Sequence, residues 1–401
     1  MKLLIAVHHF FDQWNVPAWF AERLRHDFPN LNIVHLPDYQ RLDAEIPDAE
    51  ILLAWTIRPE QIKAARKLRW IHSPAAAVHT LIIPEVVDSD IQITNAREVH
   101  GPVVAEHVIA LIFALAKKIP GSVTLQQKHV WGQQILWDET PRVREVSGAT
   151  LGLIGLGAIG RAVVAKAKAL GMRVIAVREH PEKGSDGADA VFGPARINDV
   201  FSQADYVVLA APFTDSTKAI ANAARLALMK PGACLINVAR GALVDEAALA
   251  AALRGSGPGL KPGRLLQNPR IGQSREGHEF HSCHESGQVT GGFQPLREVR
   301  AAETLFQQPA SPQENHVQEN NVEENTVQEK KIGGAALDVF PKEPLPADSP
   351  LWDLPNLLIT PHTAALTDKL WERHYTLFSE NLRRYLASQP LLGVVDKKKG
   401  Y

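Results

Sequence analysis

The stretch ATLGLIGLGAIGRA (149–162) constrains the fold more tightly than any other part of the chain. An apolar run, LGLI, leads directly into G-x-G-x-x-G at Gly155, Gly157 and Gly160, and the residues that follow read as a helix. In a strand–turn–helix each glycine has a mechanical reason. The first permits the tight turn, the second lets backbone approach a pyrophosphate, and the third lets helix and strand pack closely. Free amides and the helix dipole then face the anion. Ala158 and Ile159, at the start of the helix, join the three glycines as expected dinucleotide contacts.

Around this motif, short apolar runs alternate with segments of helical period. MRVIAV (172–177), DYVVLAAP (205–212), ACLINVA (233–239), GGAALDVF (333–340) and NLLITPH (356–362) read as strands. INDVFSQA, AIANAARLALM (219–229) and DEAALAAALR (245–254) read as the helices between them. This rhythm predicts a doubly wound parallel α/β sheet. The first hundred residues repeat it on a smaller scale. KLLIAV (2–7), NIVHL (32–36), EILLAWT (50–56) and RWIHSP (69–74) are the strand candidates, with helical segments at 16–28 and 59–68. Between the two units, PVVAEHVIALIFALAKKI (102–119) is apolar around its middle, which predicts a long connecting helix buried between domains or subunits. A last helix is expected from about Thr367 to Leu386.

The α/β rhythm stops between 256 and 331. GSGPGLKPG opens that segment, and ENHVQ-ENNVE-ENTVQ-EK closes it with valines at 317, 322 and 327. A period of five matches neither helix nor strand, and so polar a composition buries too little apolar surface to offset ordering entropy. A largely disordered insertion is expected. His278, His281, Cys283 and His284 lie inside it, and the low-complexity setting argues against a metal site. At 401 residues the chain exceeds one hydrophobic core, which suits two domains plus this insertion.

Lys and Arg number 43 against 44 Asp and Glu, so no global field recruits nucleic acid or anionic membrane. The two cysteines, Cys234 and Cys283, fit a reducing compartment. No run approaches the roughly 18 apolar residues of a membrane span, and the start lacks a signal-peptide pattern. A cytoplasmic protein is the expectation.

Three ionisable residues fall just past the carboxyl ends of strands, where open α/β sheets place their chemistry: Arg240 after ACLINVA, Glu343 after GGAALDVF, and His362 after NLLIT-Pro. An Arg, a carboxylate and a His in one crevice suit reduction of a 2-oxo acid. The Arg holds carboxylate and carbonyl oxygens, the His donates a proton, and the carboxylate orients the His. After the strand MRVIAV stands Arg178, whose guanidinium suits a ribose 2'-phosphate and predicts NADP over NAD. Glu179 follows it and is the alternative ribose contact, which would favour NAD.

Four motifs, GLGAIGRA (155–162), INVARGALVDEAAL (236–249), AALDVFPKEPLP (335–346) and ITPHTA (359–364), resemble the D-isomer-specific 2-hydroxyacid dehydrogenases in order and spacing. The resemblance implies a Rossmann dinucleotide-binding domain (101–365, interrupted by 256–331) inserted in a discontinuous flavodoxin-like substrate domain (1–100 and 366–396). It carries the substrate-binding Arg onto Arg240, the acid/base His onto His362 and its paired carboxylate onto Glu343. Asp338 and Ala239 fall on the cofactor side. SPAAAV (73–78) matches the loop whose backbone amides at Ala75, Ala76 and Ala77 hold the substrate carboxylate, although relatives often carry Gly where Ala77 stands. Trp55 is a candidate wall of the cleft; Glu106 and His107, early in the connecting helix, read as interdomain hydrogen bonding. The implied function is an NAD(P)-dependent reductase of a small 2-oxo acid such as glyoxylate or hydroxypyruvate, acting as a homodimer. Glu343 argues against formate oxidation, for which a Gln pairs with the His. The alternative is a dinucleotide-sensing, corepressor-like protein without metabolic turnover, since such proteins can retain the same three residues.

Overall fold

The computed structural model describes residues 1–9, 11–254 and 332–398. The 256–331 segment read as an insertion, with its histidines and Cys283, lies outside the described residues.

Two parallel sheets organise the chain. The first contains β1 (Lys2–Ala6), β2 (Asn32–His35), β3 (Ile51–Ala54), β4 (Trp70–Ser73) and β5 (Gln92–Asn95) in the order β2-β1-β3-β4-β5, the flavodoxin-like arrangement. The second contains β6 (Thr150–Ile154), β7 (Arg173–Val177), β8 (Ala190–Phe192), β9 (Tyr206–Leu209), β10 (Cys234–Asn237), β11 (Gly334–Leu337) and β12 (Leu357–Ile359). Its order, β12-β11-β10-β9-β6-β7-β8, winds outward in both directions from β6. This is the Rossmann order, with the switch of direction between β6 and β9.

Period-two side-chain alternation divides each strand between two cores. In β1, Leu3 and Ile5 join one apolar cluster while Leu4 and Ala6 join the other. In β9, Val207 and Leu209 face one side of the sheet, and Tyr206 and Val208 the other. Strands buried on both faces read as continuous apolar runs, which is why they were legible. The helix Leu370–Leu386 returns to the first sheet, where Trp371, Tyr375, Phe378 and Leu382 pack with Phe20 and Leu24 of the helix Ala18–Asp27.

Three local expectations change. The helix predicted over 102–119 runs instead from Gly101 to Ala116, because Lys118 takes a left-handed conformation (φ 54°) that stops it. A second helix, Ile119–Gln127, leaves at 64°. Among the described residues no single helix is long and apolar enough to cross a membrane, although this bent pair passes that test together. The first helix of the pair buries Val104, Ala105, Val108 and Ile112 in the core beside β6 and β10. β5 and β8, short strands at sheet edges, add to those predicted. The last helix begins at Leu370 rather than near Thr367.

Candidate active site

At the switch point β6 is followed by Gly155, whose φ of 105° requires a residue without Cβ. A Cβ there would also stand 2.6 Å from the Ala211 amide, just past β9. At Gly160 a Cβ would run into the Gly155 carbonyl, so the turn closes only with glycine at both positions. Gly157 differs: nothing among the described residues lies within 4 Å of where its Cβ would be, so this side of the turn is open. It caps the helix Ala158–Ala169 with no side-chain acceptor for the first helical amides. An open face lined by unclaimed amides is what an anion requires.

Arg178 follows β7 as predicted, but its guanidinium is already engaged. Its Nη1 donates to Asp186 Oδ2 (2.9 Å) and to the Gly184 carbonyl (3.1 Å).

Arg240, Glu343 and His362 rise from three neighbouring strands. β10, β11 and β12 are adjacent, with Asn237 in register with Leu337, and Leu337 with Ile359. The Asn237 side chain is fully buried and shapes the turn that presents Arg240, accepting from the Ala239 amide (3.1 Å) and donating to the Arg240 carbonyl (2.9 Å). Desolvation draws the Arg240 pKa down while the nearby Glu343 carboxylate holds it up; a guanidinium remains protonated regardless.

His362 Nδ1 lies 2.6 Å from Glu343 Oε2. The other carboxylate oxygen, Oε1, accepts from the Phe340 amide (2.9 Å), which fixes the Glu343 side chain. The His362 side chain is 52% exposed and that of Glu343 34%, so the pair is accessible to solvent. His362 holds a left-handed backbone (φ 54°), uncommon outside glycine. Asp338 stabilises it. The Asp338 carbonyl accepts from the His362 amide (2.9 Å), and its carboxylate accepts from the Thr363 amide (2.9 Å), the Ala364 amide (3.1 Å) and the Thr360 hydroxyl (2.6 Å). His107 Nε2 reaches Thr360 Oγ1 at 3.1 Å and lies 3.5 Å from Asp338 Oδ1. Desolvation lowers the His107 pKa, against an upward pull from Asp338. Asp338 is thus a buried clamp on the loop that carries His362, a role its sequence position did not disclose. Glu106 pairs with Lys166 on the facing helix (3.2 Å).

The 73–78 loop is held by its carbonyls. The Ala96 amide donates to Ala75 O (3.2 Å) and Asn95 Nδ2 to Ala76 O (2.7 Å). The Ala75 amide donates to Ser73 Oγ (3.2 Å), while the amides of Ala76, Ala77 and Val78 meet no acceptor among the described residues. The His100 ring hydrogen-bonds the Pro74 carbonyl, and burial pulls its pKa down to about 4. Trp55 packs edge-on against Trp14 (6.4 Å), which in turn faces His100 (6.5 Å). Trp14 was missed because nothing in its local sequence places it beside β3 or the start of the Gly101–Ala116 helix.

A model of the D-isomer specific 2-hydroxyacid dehydrogenase NAD-binding domain matches residues 109–257 and 315–364. D-3-phosphoglycerate dehydrogenase of Methanocaldococcus jannaschii is 27% identical over 360 residues, which is 89% of this chain and 53% of that protein. A putative 2-hydroxyacid dehydrogenase of Haemophilus influenzae is 28% identical over 344 residues, 82% of this chain and 84% of the relative. Among solved structures, a D-isomer specific 2-hydroxyacid dehydrogenase family protein from Aeromonas salmonicida subsp. salmonicida superimposes with a TM-score of 0.67 at 27% identity, covering 99% of each chain. The chain spans about half the length of the phosphoglycerate dehydrogenase it matches. With the Rossmann strand order, the glycine turn and the Arg240, Glu343 and His362 side chains past adjacent strands, these similarities place the chain in the D-isomer-specific 2-hydroxyacid dehydrogenase family.

Proposed function

We propose that the protein is an NAD(P)-dependent oxidoreductase that interconverts a small 2-oxo acid and a D-2-hydroxy acid, with glyoxylate or hydroxypyruvate as the kind of substrate taken. The observation that carries this reading is the 2.6 Å contact between His362 Nδ1 and Glu343 Oε2, beside Arg240 and on the same sheet as the glycine turn. A carboxylate on Nδ1 fixes the ring and leaves Nε2 to exchange a proton with the substrate oxygen. Arg240 binds the carboxylate and carbonyl oxygens of the 2-oxo acid, matching their charge as it grows. The Ala76 and Ala77 amides hold the far side of that carboxylate, with Ala75 supporting the loop through its carbonyl.

The open face at Gly157 and the unclaimed helix amides fit a dinucleotide pyrophosphate. Gly155, Gly157, Ala158, Ile159, Gly160, Arg178 and Ala239 are the residues assigned to hold the dinucleotide, with NADP preferred over NAD on the strength of Arg178; Asp338, buried and spent on the 360–364 loop, acts through that loop instead of touching the cofactor. When bound, the nicotinamide supplies or accepts the hydride. Residues 1–100 and 366–396 form the substrate domain in this reading, and 101–365 the dinucleotide-binding domain. A cytoplasmic homodimer, without nucleic acid or membrane, completes it. Exposed apolar side chains on 119–137, with Ile119, Val123, Trp137 and a Trp131 that is 93% exposed, support association of two copies.

The test is turnover. The purified chain, offered a panel of 2-oxo acids with NADPH and with NADH, should consume reduced nicotinamide with at least one of them. Dinucleotide binding with no consumption on any acid would contradict the enzyme reading and favour the sensor.

A further inference from the structure

Asp186 stands eight residues after Arg178 and outside the four motifs described above, yet its carboxylate lies 2.9 Å from the guanidinium expected to meet a 2'-phosphate. The Arg178 side chain is only 15% exposed, and one of its nitrogens is divided between the Asp186 carboxylate and the Gly184 carbonyl. The Arg178 amide is also bonded, to the Phe192 carbonyl at the end of β8, so the residue is held at both ends. Asp186 in turn takes a left-handed backbone (φ 48°) between two positive-φ glycines, Gly184 and Gly187, a turn that folds its carboxylate back onto the guanidinium. The result is a neutral pair at the mouth of β7 where a free cation was expected.

We propose that Asp186 is a cofactor-selectivity residue that restrains the preference of Arg178 for a 2'-phosphorylated dinucleotide. The proposal rests on the dinucleotide reading of the glycine turn. Selectivity is a difference between two affinities, and a repulsive group shapes it as much as an attractive one. A 2'-phosphate must share the Arg178 donors with Asp186 and tolerate a second negative charge beside it, whereas a 2'-hydroxyl meets no such repulsion and can donate to a carboxylate. The other ionisable groups of this loop are Glu179, His180, Glu182, Lys183 and Asp189; His180 pairs with Glu182 at 3.1 Å, and Asp189 with Lys168 at 2.7 Å. The Asp186 carboxylate lies on the Arg178 guanidinium itself, at 2.9 Å.

The experiment is calorimetric titration of NADPH and NADH into the full-length wild type, Asp186→Asn and Arg178→Ala, without substrate. Asn tolerates the left-handed backbone and can still accept from Arg178, so the substitution removes charge while keeping the turn. Asp186→Asn should tighten NADPH roughly tenfold and change NADH by no more than about twofold. That gain should shrink at high salt, and shrink again when Arg178→Ala is combined with it. A Kd ratio unchanged by Asp186→Asn, or moved toward NADH, overturns the proposal. Failure of the wild type to bind either dinucleotide overturns the reading beneath it as well, and the two failures are distinguished by the wild-type titration alone.

Discussion

Asp338 and Glu343 follow the same strand, β11, five positions apart, and do different work. Asp338 is 1% exposed and spends its carboxylate on two amides and a hydroxyl of the 360–364 loop. Glu343 is partly exposed; one of its oxygens accepts from the Phe340 amide and the other lies against the His362 ring. The difference teaches that a carboxylate near a histidine can shape the backbone beneath it or act on the ring, and that burial separates the two. In the first case loss of the group breaks a scaffold; in the second it removes an electrostatic partner while the fold stands.

Substitution sharpens the contrast. Asp338→Asn places an NH2 group against donors that now face a carboxylate, leaving buried donors unpaired. We expect stability to fall by about 2–3 kcal/mol and turnover by about a hundredfold as the loop loses its conformation. Urea unfolding beside kcat measures both, and a variant with wild-type stability would show that the clamp is dispensable. Glu343→Gln should reduce kcat by about tenfold to a hundredfold through a less well supported ring. Its effect on stability should stay within about 0.5 kcal/mol, since a half-exposed pair contributes little. Equal stability losses for both variants would erase the distinction drawn between them.

The same logic extends to histidines. His362 is exposed and paired, whereas His72, His100 and His374 are buried within the first unit, His100 and His374 with ring centroids 5.6 Å apart. Burial pulls the pKa of His72 to about 3 and of His100 to about 4, and moves His374 well below its ordinary 6.5. These rings are neutral in the folded chain and protonate on unfolding once the pH drops below about 6.5. Each proton taken up on unfolding costs stability at about 1.4 kcal/mol per pH unit. Stability should therefore be level above pH 7 and fall steeply from pH 6.5 toward 4. Urea midpoints at pH 7.5 and 5 measure this, and equal midpoints would mean the rings are not buried neutral.

The sequence disclosed what is local. The glycine turn, and the places of Arg240, Glu343 and His362 past apolar runs, follow from patterns confined to about a dozen residues each. What it hid is long-range. His107 and Thr360 meet across 253 positions, and no periodicity connects a helix to a loop that far along the chain. The helix end at Ala116 escaped because nothing in Lys117-Lys118 marks a stop, whereas Lys118 turns the backbone left-handed. Edge strands as short as β8 leave too few alternations to detect. Asp186 was passed over because its partner, Arg178, reads alone as a free cation.

The measurement that tests the account most directly is made on His362→Asn, a substitution that keeps the left-handed backbone and removes the proton donor. Stopped-flow reduction of the preferred 2-oxo acid should slow by about 10³-fold, while the calorimetric Kd for the dinucleotide stays within about twofold and the melting temperature is unchanged. Wild-type turnover in this variant would contradict the assignment of His362 as the acid/base, and with it the chemistry proposed for the chain.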